Sequence, residues 1–385
     1  MSTPLRVAMV GSRGVPARYG GVETAVEELS ARLVERGVEV TVFCRADPAE
    51  PAPARHRGIS CRYVRTTAGK HSGTFLHAAA AAALASRGSF DVVHFHAMGP
   101  TLFAPLPRFV GRQAVVATVQ GRDDRRAKWG LVARLVLGAA ARTSVLVPHE
   151  TIVVSRQLQT ELRAELGRET TYIPNGISPV GDATGVDPGV AAFGLVPRQY
   201  LLAVGRLVPE KAADLLLRAY RGVPGDLPLV VVGPSEPADP YAASLRVAAL
   251  ADPRVRLLGP VYGQQMDSLW RGALAFVQPS DLEGLPLVLL EAAAHGLPVV
   301  VSDIGPHTQV VGPDGPARRV FPTGDEAGLR AVLTALLADP ALDRAAAPAL
   351  REEVLRDYSW ESITDATLEA YGRAARGAHG GARRA

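Results

Sequence analysis

Two glutamates in a single apolar segment are the side chains of this sequence best suited to chemistry. The segment DLEGLPLVLLEAAAHGLPVVVSD covers residues 281–303 and contains Glu283 and Glu291, with seven residues between them. The pattern predicts a helix that begins near Pro286, so Glu283 precedes it and Glu291 lies about a turn and a half along. Carboxylates accept hydrogen bonds from sugar hydroxyls, and helix N-termini bind anions. The segment predicts a sugar-phosphate pocket; the alternative is two ordinary helix charges.

Two cations follow an earlier strand-like run, at the edge where an open parallel sheet binds its ligands. The motif GRLVPEK, residues 205–211, places Arg206 and Lys211 so that they can bracket an anionic group. Arginine is the usual cation of this chain, because its lysines are Lys70, Lys128 and Lys211 alone. A lysine at this edge therefore indicates a specific role. The alternative is a pair of ordinary surface cations.

A glycine-rich loop after the first strand is a further candidate for phosphate contact. Its sequence, VGSRGVPARYGGVET, covers residues 10–24 and ends with Gly20 and Gly21 just before a predicted helix. Glycines let the backbone approach a ligand closely, and the helix start offers free N–H groups. The glycine spacing does not match the dinucleotide pattern GxGxxG. The alternative is a plain turn from strand to helix.

Strand-like runs alternate with helical patterns along both halves of the chain, which predicts an α/β protein with parallel sheets covered by helices. In the first half the predicted strands are 6–10, 38–44, 59–64, 91–95, 114–119, 151–154 and 170–173. In the second half they are 200–204, 229–232, 255–258, 273–278, 299–302 and 319–321.

A segment rich in Gly, Pro and Asp separates the two alternating halves. It covers residues 174–197 and predicts an interdomain linker. The expected domains are 1–185 and 190–358, each long enough to bury its own core. A helix is predicted at about 359–376, and the glycine-containing end, 377–385, is predicted to be disordered.

Composition narrows the class of protein and its compartment. The N-terminus runs into a strand without the apolar core of a signal peptide, and no apolar run is long enough to span a bilayer, so we expect a soluble, cytoplasmic chain. Cys44 and Cys61 lie beside strand-like runs and are expected to be free thiols.

Charge is distributed unevenly between the two halves. Up to residue 187 the chain has 23 Lys+Arg against 16 Asp+Glu, and beyond it 19 against 22. A basic first half suits an anionic acceptor or a peripheral contact with a membrane surface; the alternative is scattered, solvated arginines. Aromatic residues are 5% of the chain and no basic run interleaves with them, so nucleic acid is not expected as a partner.

Several of these motifs together resemble the retaining glycosyltransferases of family 4. The resemblance rests on the E-x7-E run from Glu283 to Glu291, GRLVPEK, PNGI at 174–177 and the paired glycines of the first loop. It implies the GT-B fold: two Rossmann-like domains that face each other across a cleft, with the C-terminal helix crossing back to the first domain. HFHAMGP and ATVQGRDDRRAKWG in the first half are further similar to a branch of bacterial rhamnosyltransferases.

The resemblance implies a role for each matching residue. Arg206 and Lys211 would bind the donor diphosphate and, with Glu283, form the catalytic set, while Glu291 would hold the donor ribose. Glu283 would contact the transferred sugar, assisted by three neighbours, namely Gly284, Leu285 and Pro286. Gly20 or Gly21 would close over the diphosphate, and the nucleobase would lie near 259–262.

The acceptor side of the site departs from the family. Many members have His, and this branch often Asp, where the present chain has Gln120, which can neither act as a base nor carry charge. The departure puts in question any acid–base role at this position. His94 and His96, at the end of a predicted strand, are expected to face the cleft and contact a substrate; the alternative is that they pack at the strand end.

The expected function is transfer of a hexose or deoxyhexose from a nucleotide-diphosphate sugar to an acceptor hydroxyl, with retention, in cell-surface polysaccharide or glycoconjugate assembly. The acceptor would be a sugar, including lipid-linked ones. No cofactor other than the donor is expected, and no metal, because histidines and further carboxylates at ligand spacing are lacking. The alternatives are a sugar-nucleotide epimerase of the same fold, transfer to a small natural product, and a non-catalytic partner subunit.

Overall fold

The computed structural model divides the chain into two compact units. Unit 1 contains residues 1–176 and 360–385, and unit 2 contains residues 177–359. The structure describes residues 4–17, 20–46, 53–66, 70–122, 124, 131–181, 188–236 and 239–382. Residues 182–187 of the predicted linker and 383–385 of the predicted tail lie outside the described residues.

The described part of unit 1 is built on one eight-stranded sheet, ordered β3-β4-β2-β1-β5-β6-β7-β8. Its neighbouring strands are parallel except β3 and β4, which are antiparallel. The central strands are almost entirely buried, as expected for a sheet covered on both faces. The strands are β1 (Arg6–Val10), β2 (Glu39–Arg45), β3 (Arg55–His56), β4 (Ile59–Val64), β5 (Val92–His96), β6 (Ala114–Val119), β7 (Glu150–Val153) and β8 (Thr171–Tyr172).

Helices cover both faces of this sheet. They are α1 (Gly21–Glu35), α2 (Lys70–Arg87), α3 (Met98–Thr101), α4 (Leu131–Leu146), α5 (Arg156–Leu166) and, from the C-terminal end of the chain, α13 (Trp360–Ala382). A π-helical turn, Leu106–Val110, follows α3. The elements β3, α3 and this turn are too short to show a periodic pattern, and the sequence does not predict them.

The terminal helix α13 belongs to the core of unit 1, as expected for a C-terminal helix that returns to the first domain. Tyr371 and Ala374 are buried with Val7 and Val116 of the sheet. The prediction of disorder over 377–385 is wrong for residues 377–382, because α13 continues to Ala382. Ala378 packs against the core and the helix is already nucleated, so each added residue gains a backbone hydrogen bond at little cost.

The described part of unit 2 is built on a six-stranded parallel sheet, ordered β11-β10-β9-β12-β13-β14. The strands are β9 (Leu201–Val204), β10 (Leu229–Val232), β11 (Val255–Gly259), β12 (Ala275–Gln278), β13 (Val299–Ser302) and β14 (Arg318–Phe321). The helices are α6 (Ala213–Arg221), α7 (Pro240–Leu250), α8 (Gly263–Gly272), α9 (Leu287–Ala294), α10 (Gly305–Val311), α11 (Glu326–Ala338) and α12 (Pro340–Asp357). The α/β class with parallel sheets is therefore confirmed.

The strand order reverses once in each sheet, and this locates the places where ligands can bind. In unit 1 the chain builds outward from β1 on one side and from β5 on the other, and in unit 2 it does so from β9 and β12. Loops that leave such neighbouring strands diverge and open a crevice at their carboxyl ends. Among the helices that the structure describes, none is long and apolar enough to cross a bilayer.

Candidate functional site

The predicted phosphate cations of unit 2 lie in the loop that leaves β9, one of the two strands at its switch point. Lys211 ends a short 3-10 turn, Pro209–Lys211. The neighbouring loop after β12 is tied to it, because the Asp281 N–H donates to the Glu210 carbonyl at 3.0 Å. The fold therefore brings GRLVPEK and the segment containing Glu283 together, although they are distant in sequence.

Glu283 receives three donors on a single carboxylate oxygen, Oε1. The ammonium of Lys211 contacts this oxygen directly. Gln278 Nε2 donates to it at 2.6 Å and Ser280 Oγ at 2.9 Å. No described residue hydrogen-bonds the second oxygen, Oε2, which leaves it available to accept from a ligand hydroxyl.

The electrostatic environment keeps the Glu283 carboxylate ionised. Its side chain is 8% exposed. Burial by itself raises the pKa, but the charge of Lys211 and the hydrogen bonds from Lys211 and Ser280 outweigh it, so the pKa lies below its ordinary value. A buried carboxylate with a firmly held orientation is suited to positioning a sugar.

Polar side chains from β13 and α10 are hydrogen-bonded to the loop that carries Glu283. Ser302, the last residue of β13, donates from Oγ to the Ser280 carbonyl at 2.5 Å. The ring of His307 is buried, with its Nδ1 2.9 Å from Ser302 Oγ, and burial lowers its pKa to about 4. Gln278, Ser280, Ser302 and His307 were not among the residues predicted for the site. A signal existed, because AFVQPS and VVVSD each end an apolar strand on polar residues.

Glu291 lies on α9, which begins at Leu287, one residue after the predicted start. Its carboxylate is half-buried and makes no hydrogen bond or ion pair with a described residue. Burial raises its pKa to about 7. A carboxylate without a protein partner in this setting is poised to accept hydrogen bonds from a ligand.

The remaining residues predicted for the donor side lie on neighbouring loops of unit 2. Arg206 is half-buried, and its guanidinium forms no ion pair with the described residues. Gly284, Leu285 and Pro286 form the turn that leads into α9, as predicted. Tyr262 precedes α8 and is 62% exposed, so its ring is open to a flat ligand such as a nucleobase.

In unit 1 the paired glycines occupy the start of α1. Gly20 is the N-cap, Gly21 is the first helical residue, and both are exposed. The Gly20 carbonyl accepts from the N–H of Thr24 at 3.2 Å, while the cap itself has no side-chain hydrogen bond. Within the described residues no side chain caps this fifteen-residue helix, so its first N–H groups can bind an anion. The assignment of these glycines to the donor diphosphate stays a prediction.

The two histidines of β5 are buried. His94 bridges the hydroxyls of Tyr371, at 2.8 Å from Nδ1, and Thr118, at 2.7 Å from Nε2. His96 is 2% exposed, with Nε2 against the sulfur of Met9 at 3.4 Å, and burial lowers its pKa to about 3. Both rings are therefore neutral at pH 7, and His94 has the bonding of a residue that packs a strand end.

Gln120 pairs with an asparagine that the sequence analysis did not single out. Asn175 Nδ2 donates to Gln120 Oε1 at 2.8 Å, and the return bond from Gln120 Nε2 to Asn175 Oδ1 is 3.4 Å. Asn175 belongs to the PNGI motif. This motif therefore hydrogen-bonds the side chain at the position where many family members carry a titratable residue. Together with His96, the pair lines a cavity of about 20 Å³, enough for about one water molecule.

The described part of the chain offers no cluster of metal ligands. In that part no group of three or more His, Cys, Asp or Glu side chains is arranged to hold a metal ion. Cys44 and Cys61 are free, and burial raises the pKa of the Cys44 thiol to about 12. Independence from metals stays a prediction for the whole chain.

Comparison with known sequences gives two matches that follow the two units. Residues 19–180 match the family described as Glycosyltransferase Family 4, and residues 198–339 match Glycosyl transferases group 1. The D-inositol 3-phosphate glycosyltransferase of Geodermatophilus obscurus is 31% identical, over 92% of this chain and 85% of that protein. The phosphatidyl-myo-inositol mannosyltransferase of Mycobacterium leprae is 28% identical, over 91% and 92%.

Solved structures share the architecture at lower identity. Sucrose-phosphate synthase from Thermosynechococcus elongatus superposes with a TM-score of 0.80 at 24% identity, over 96% of this chain and 98% of that one. HepE from Anabaena, solved with UDP and glucose, has a TM-score of 0.80 at 17% identity, over 96% and 99%. The fold of the chain is thus the GT-B architecture of these enzymes.

Proposed function

Because the chain belongs to glycosyltransferase family 4, we propose that it transfers a hexose or deoxyhexose from a nucleotide-diphosphate sugar to an acceptor hydroxyl, with retention of configuration. That it is a glycosyltransferase follows from the family; the donor, the stereochemistry and the acceptor are the proposal. A deoxyhexose is included because the first half resembles rhamnosyltransferases. A role in cell-surface glycoconjugate assembly is part of the same proposal.

The observation that carries the proposal is the charge arrangement at the switch point of unit 2. Lys211 and Glu283 form a partly buried ion pair there, and Arg206 lies on the same loop with no counter-charge among the described residues. A diphosphate would supply the missing negative charge, and the free oxygen of Glu283 would accept from a hydroxyl of the attached sugar. A nucleotide sugar presents both groups at once.

The proposed chemistry is front-face transfer, for which these charges are suited. The bond between the anomeric carbon and the diphosphate oxygen breaks, the acceptor oxygen bonds to the same carbon from the same face, and the departing phosphate oxygen takes the acceptor proton. The protein's task is electrostatic, because negative charge develops on the leaving diphosphate. Arg206 and Lys211 would neutralise it without a bound metal, and removing such a preorganised group typically costs about 2.7–4 kcal/mol of transition-state stabilisation.

Incubation with a panel of nucleotide sugars, with and without acceptors, tests the proposal. Release of nucleoside diphosphate that depends on the acceptor is expected. Isomerisation without an acceptor would indicate an epimerase, and binding without turnover a non-catalytic subunit. Lys211→Ala and Glu291→Ala should each weaken donor binding more than tenfold in calorimetry while the thermal transition persists; unchanged donor affinity would contradict the site assignment.

We also propose a peripheral contact of unit 1 with an anionic membrane surface, at the cytoplasmic face. Phe109 and Val110 are 66% and 73% exposed at the end of the π-helical turn, and the guanidinium of Arg108 lies over the Phe109 ring. Exposed apolar side chains beside arginine suit the boundary of an anionic bilayer. The protein should cosediment with anionic vesicles at low salt and less so at high salt. Phe109→Ser should reduce binding, and equal binding to neutral vesicles would contradict the electrostatic part.

A further inference from the structure

The amino edge of the unit 1 sheet carries three basic side chains in adjacent segments. Arg108, His149 and Arg168 precede β6, β7 and β8, which are neighbouring parallel strands. Parallel strands begin at the same edge of a sheet, so these segments lie side by side. The opposite, carboxyl edge carries Gln120, directly after β6. The cluster of three basic residues is therefore separate from the residues predicted for the acceptor side of the site.

Backbone contacts and charge place the three side chains close together at the start of β7. The His149 N–H donates to the Val115 carbonyl at 2.8 Å, and the Val115 N–H donates to His149 Nδ1 at 3.0 Å. Arg168 donates to two backbone carbonyls in the three residues before His149, at 2.8 and 3.3 Å. Burial and then the charges of Arg108 and Arg168 lower the pKa of His149 to about 4, so both guanidinium groups lie within electrostatic reach of the ring.

The two arginines of the cluster have no counter-charge. No described acidic side chain forms an ion pair with Arg108 or Arg168. The segments that carry the cluster, 98–122 and 135–181, are described without a gap. Their four acidic side chains are each paired with another arginine: Glu150 with Arg373, Glu161 and Glu165 with Arg122, and Glu169 with Arg163. The cluster therefore keeps both of its positive charges.

The cluster also has N–H groups to which no described residue offers an acceptor. Because His149 Nδ1 accepts from the backbone, the proton of the neutral ring is on Nε2, which has no partner in the described structure. The guanidinium of Arg108 lies over the Phe109 ring and makes no hydrogen bond with a described group. Its Nη1 is enclosed, whereas Nε and Nη2 reach the surface. All three basic side chains are partly exposed, so a solvent-borne ligand can reach these donors.

The geometry points to a binding site for a phosphate group at the amino edge of the unit 1 sheet. Two guanidinium groups match the charge of a phosphate dianion, and His149 Nε2–H adds a donor for one of its oxygens. Exposed apolar side chains border the cluster, namely Phe109, Val110 and Leu146. The phosphate can therefore belong to a phospholipid headgroup or to a soluble ester. The site does not depend on the transfer reaction, and it shares only Arg108 and its apolar neighbours with the proposed membrane contact.

An NMR titration of the full chain with inorganic phosphate tests the site, with acetate as the carboxylate counterpart. The ring nitrogens of His149 are followed, because the cations of unit 2 also attract anions and a local signal separates the two places. If the phosphate is soluble, it should bind here tenfold or more tightly than acetate. Arg108→Gln should weaken this binding fivefold or more. Arg62→Gln is the matched control, since its guanidinium also lies over an aromatic ring of unit 1, that of Phe43, and it should change the affinity less than twofold.

Vesicles identify a lipid source of the phosphate. Phosphatidylcholine vesicles that contain phosphatidate are compared with vesicles given the same surface charge by oleate. If the ligand is a headgroup, binding to phosphatidate vesicles should be at least fivefold tighter, and Arg108→Gln should remove the difference. Val110→Ser should weaken binding to both kinds of vesicle equally and leave inorganic phosphate binding unchanged. A preference for inorganic phosphate with equal binding to both vesicles supports the site with a soluble ligand.

Arg168→Lys separates geometry from charge, because it keeps the positive charge but not the planar fork, and it should weaken phosphate binding threefold or more. Hydrogen exchange of β6 and β7 checks that each variant keeps unit 1 intact. The inference is overturned if neither phosphate probe is preferred to its carboxylate counterpart, or if Arg108→Gln binds like the wild type. Nucleotide-sugar binding is measured on the same samples. Its absence in the wild type would contradict the proposed function alone, and intact donor binding without a phosphate preference would contradict this site alone.

Discussion

Lowering the pH from 8 to 6 should weaken nucleotide-sugar binding through a single carboxylate, that of Glu291. Burial raises its pKa to about 7, and no described residue stabilises either of its protonation states by a hydrogen bond. If Glu291 holds the donor ribose, as the family resemblance implies, the ribose hydroxyls would donate to the ionised form, so donor binding should favour deprotonation and release a proton. Affinity is therefore full well above pH 7 and is lost as the pH falls through that value.

The expected magnitude follows from the ionised fraction of Glu291. With a pKa of about 7, roughly ten elevenths of the carboxylate is ionised at pH 8 and roughly one eleventh at pH 6. The dissociation constant should rise about tenfold over this range, which corresponds to about 1.4 kcal/mol. At pH 7, about half a proton should be released for each donor bound.

Calorimetry in buffers of different ionisation enthalpy measures the affinity and the proton release together. The ligand must be a nucleotide sugar, because its diphosphate has no terminal group that titrates near pH 7. Glu291→Gln keeps the shape without titrating and should flatten the pH profile. The imidazole of His295, directly after α9, hydrogen-bonds to the backbone carbonyl of Glu291. His295→Asn is therefore the control for this neighbouring imidazole, and it should leave the pH profile unchanged. Identical profiles for wild type and Glu291→Gln would refute the reasoning.

Two further predictions concern stability. Lys211→Met removes the charge that lowers the pKa of Glu283, so the pKa of Glu283 should rise above its value in the unfolded chain. The free energy of unfolding of unit 2 should then decrease as the pH rises from 5 to 7, by up to about 1.4 kcal/mol per pH unit. Hydrogen exchange of the unit 2 strands in denaturant measures this, and a loss independent of pH contradicts it. Gly11→Ala should cost about 2 kcal/mol or more in thermal unfolding, because Gly11 has φ +113° and a Cβ there would lie 2.3 Å from the His96 carbonyl oxygen. Gly99→Ala, with no atom within 4 Å of the added Cβ, should change stability by less than about 1 kcal/mol.

Most strands of both sheets could be predicted because they are compact, largely apolar runs between polar turns. The predictions at 6–10, 59–64, 114–119, 229–232 and 299–302 have the observed bounds. Very short elements could not be predicted from the sequence in this way. A two-residue strand such as β3 and a four-residue helix such as α3 show no periodicity, and they exist because neighbouring elements hold them in place. The helical end of α13 has the same origin, since contact with the core outweighs its glycines.

The sequence by itself determined the donor half of the candidate site as a set of motifs: two glutamates eight positions apart around a helix start, and two cations after a strand. The tertiary structure decided how Glu283 is held, because Lys211 reaches it from a loop 72 residues earlier. It also buried His94, since Tyr371, 277 residues away, covers the end of β5. Spacing along the chain reports local geometry, whereas burial and pairing depend on which distant strands and helices meet, and in parallel sheets those neighbours are set by topology.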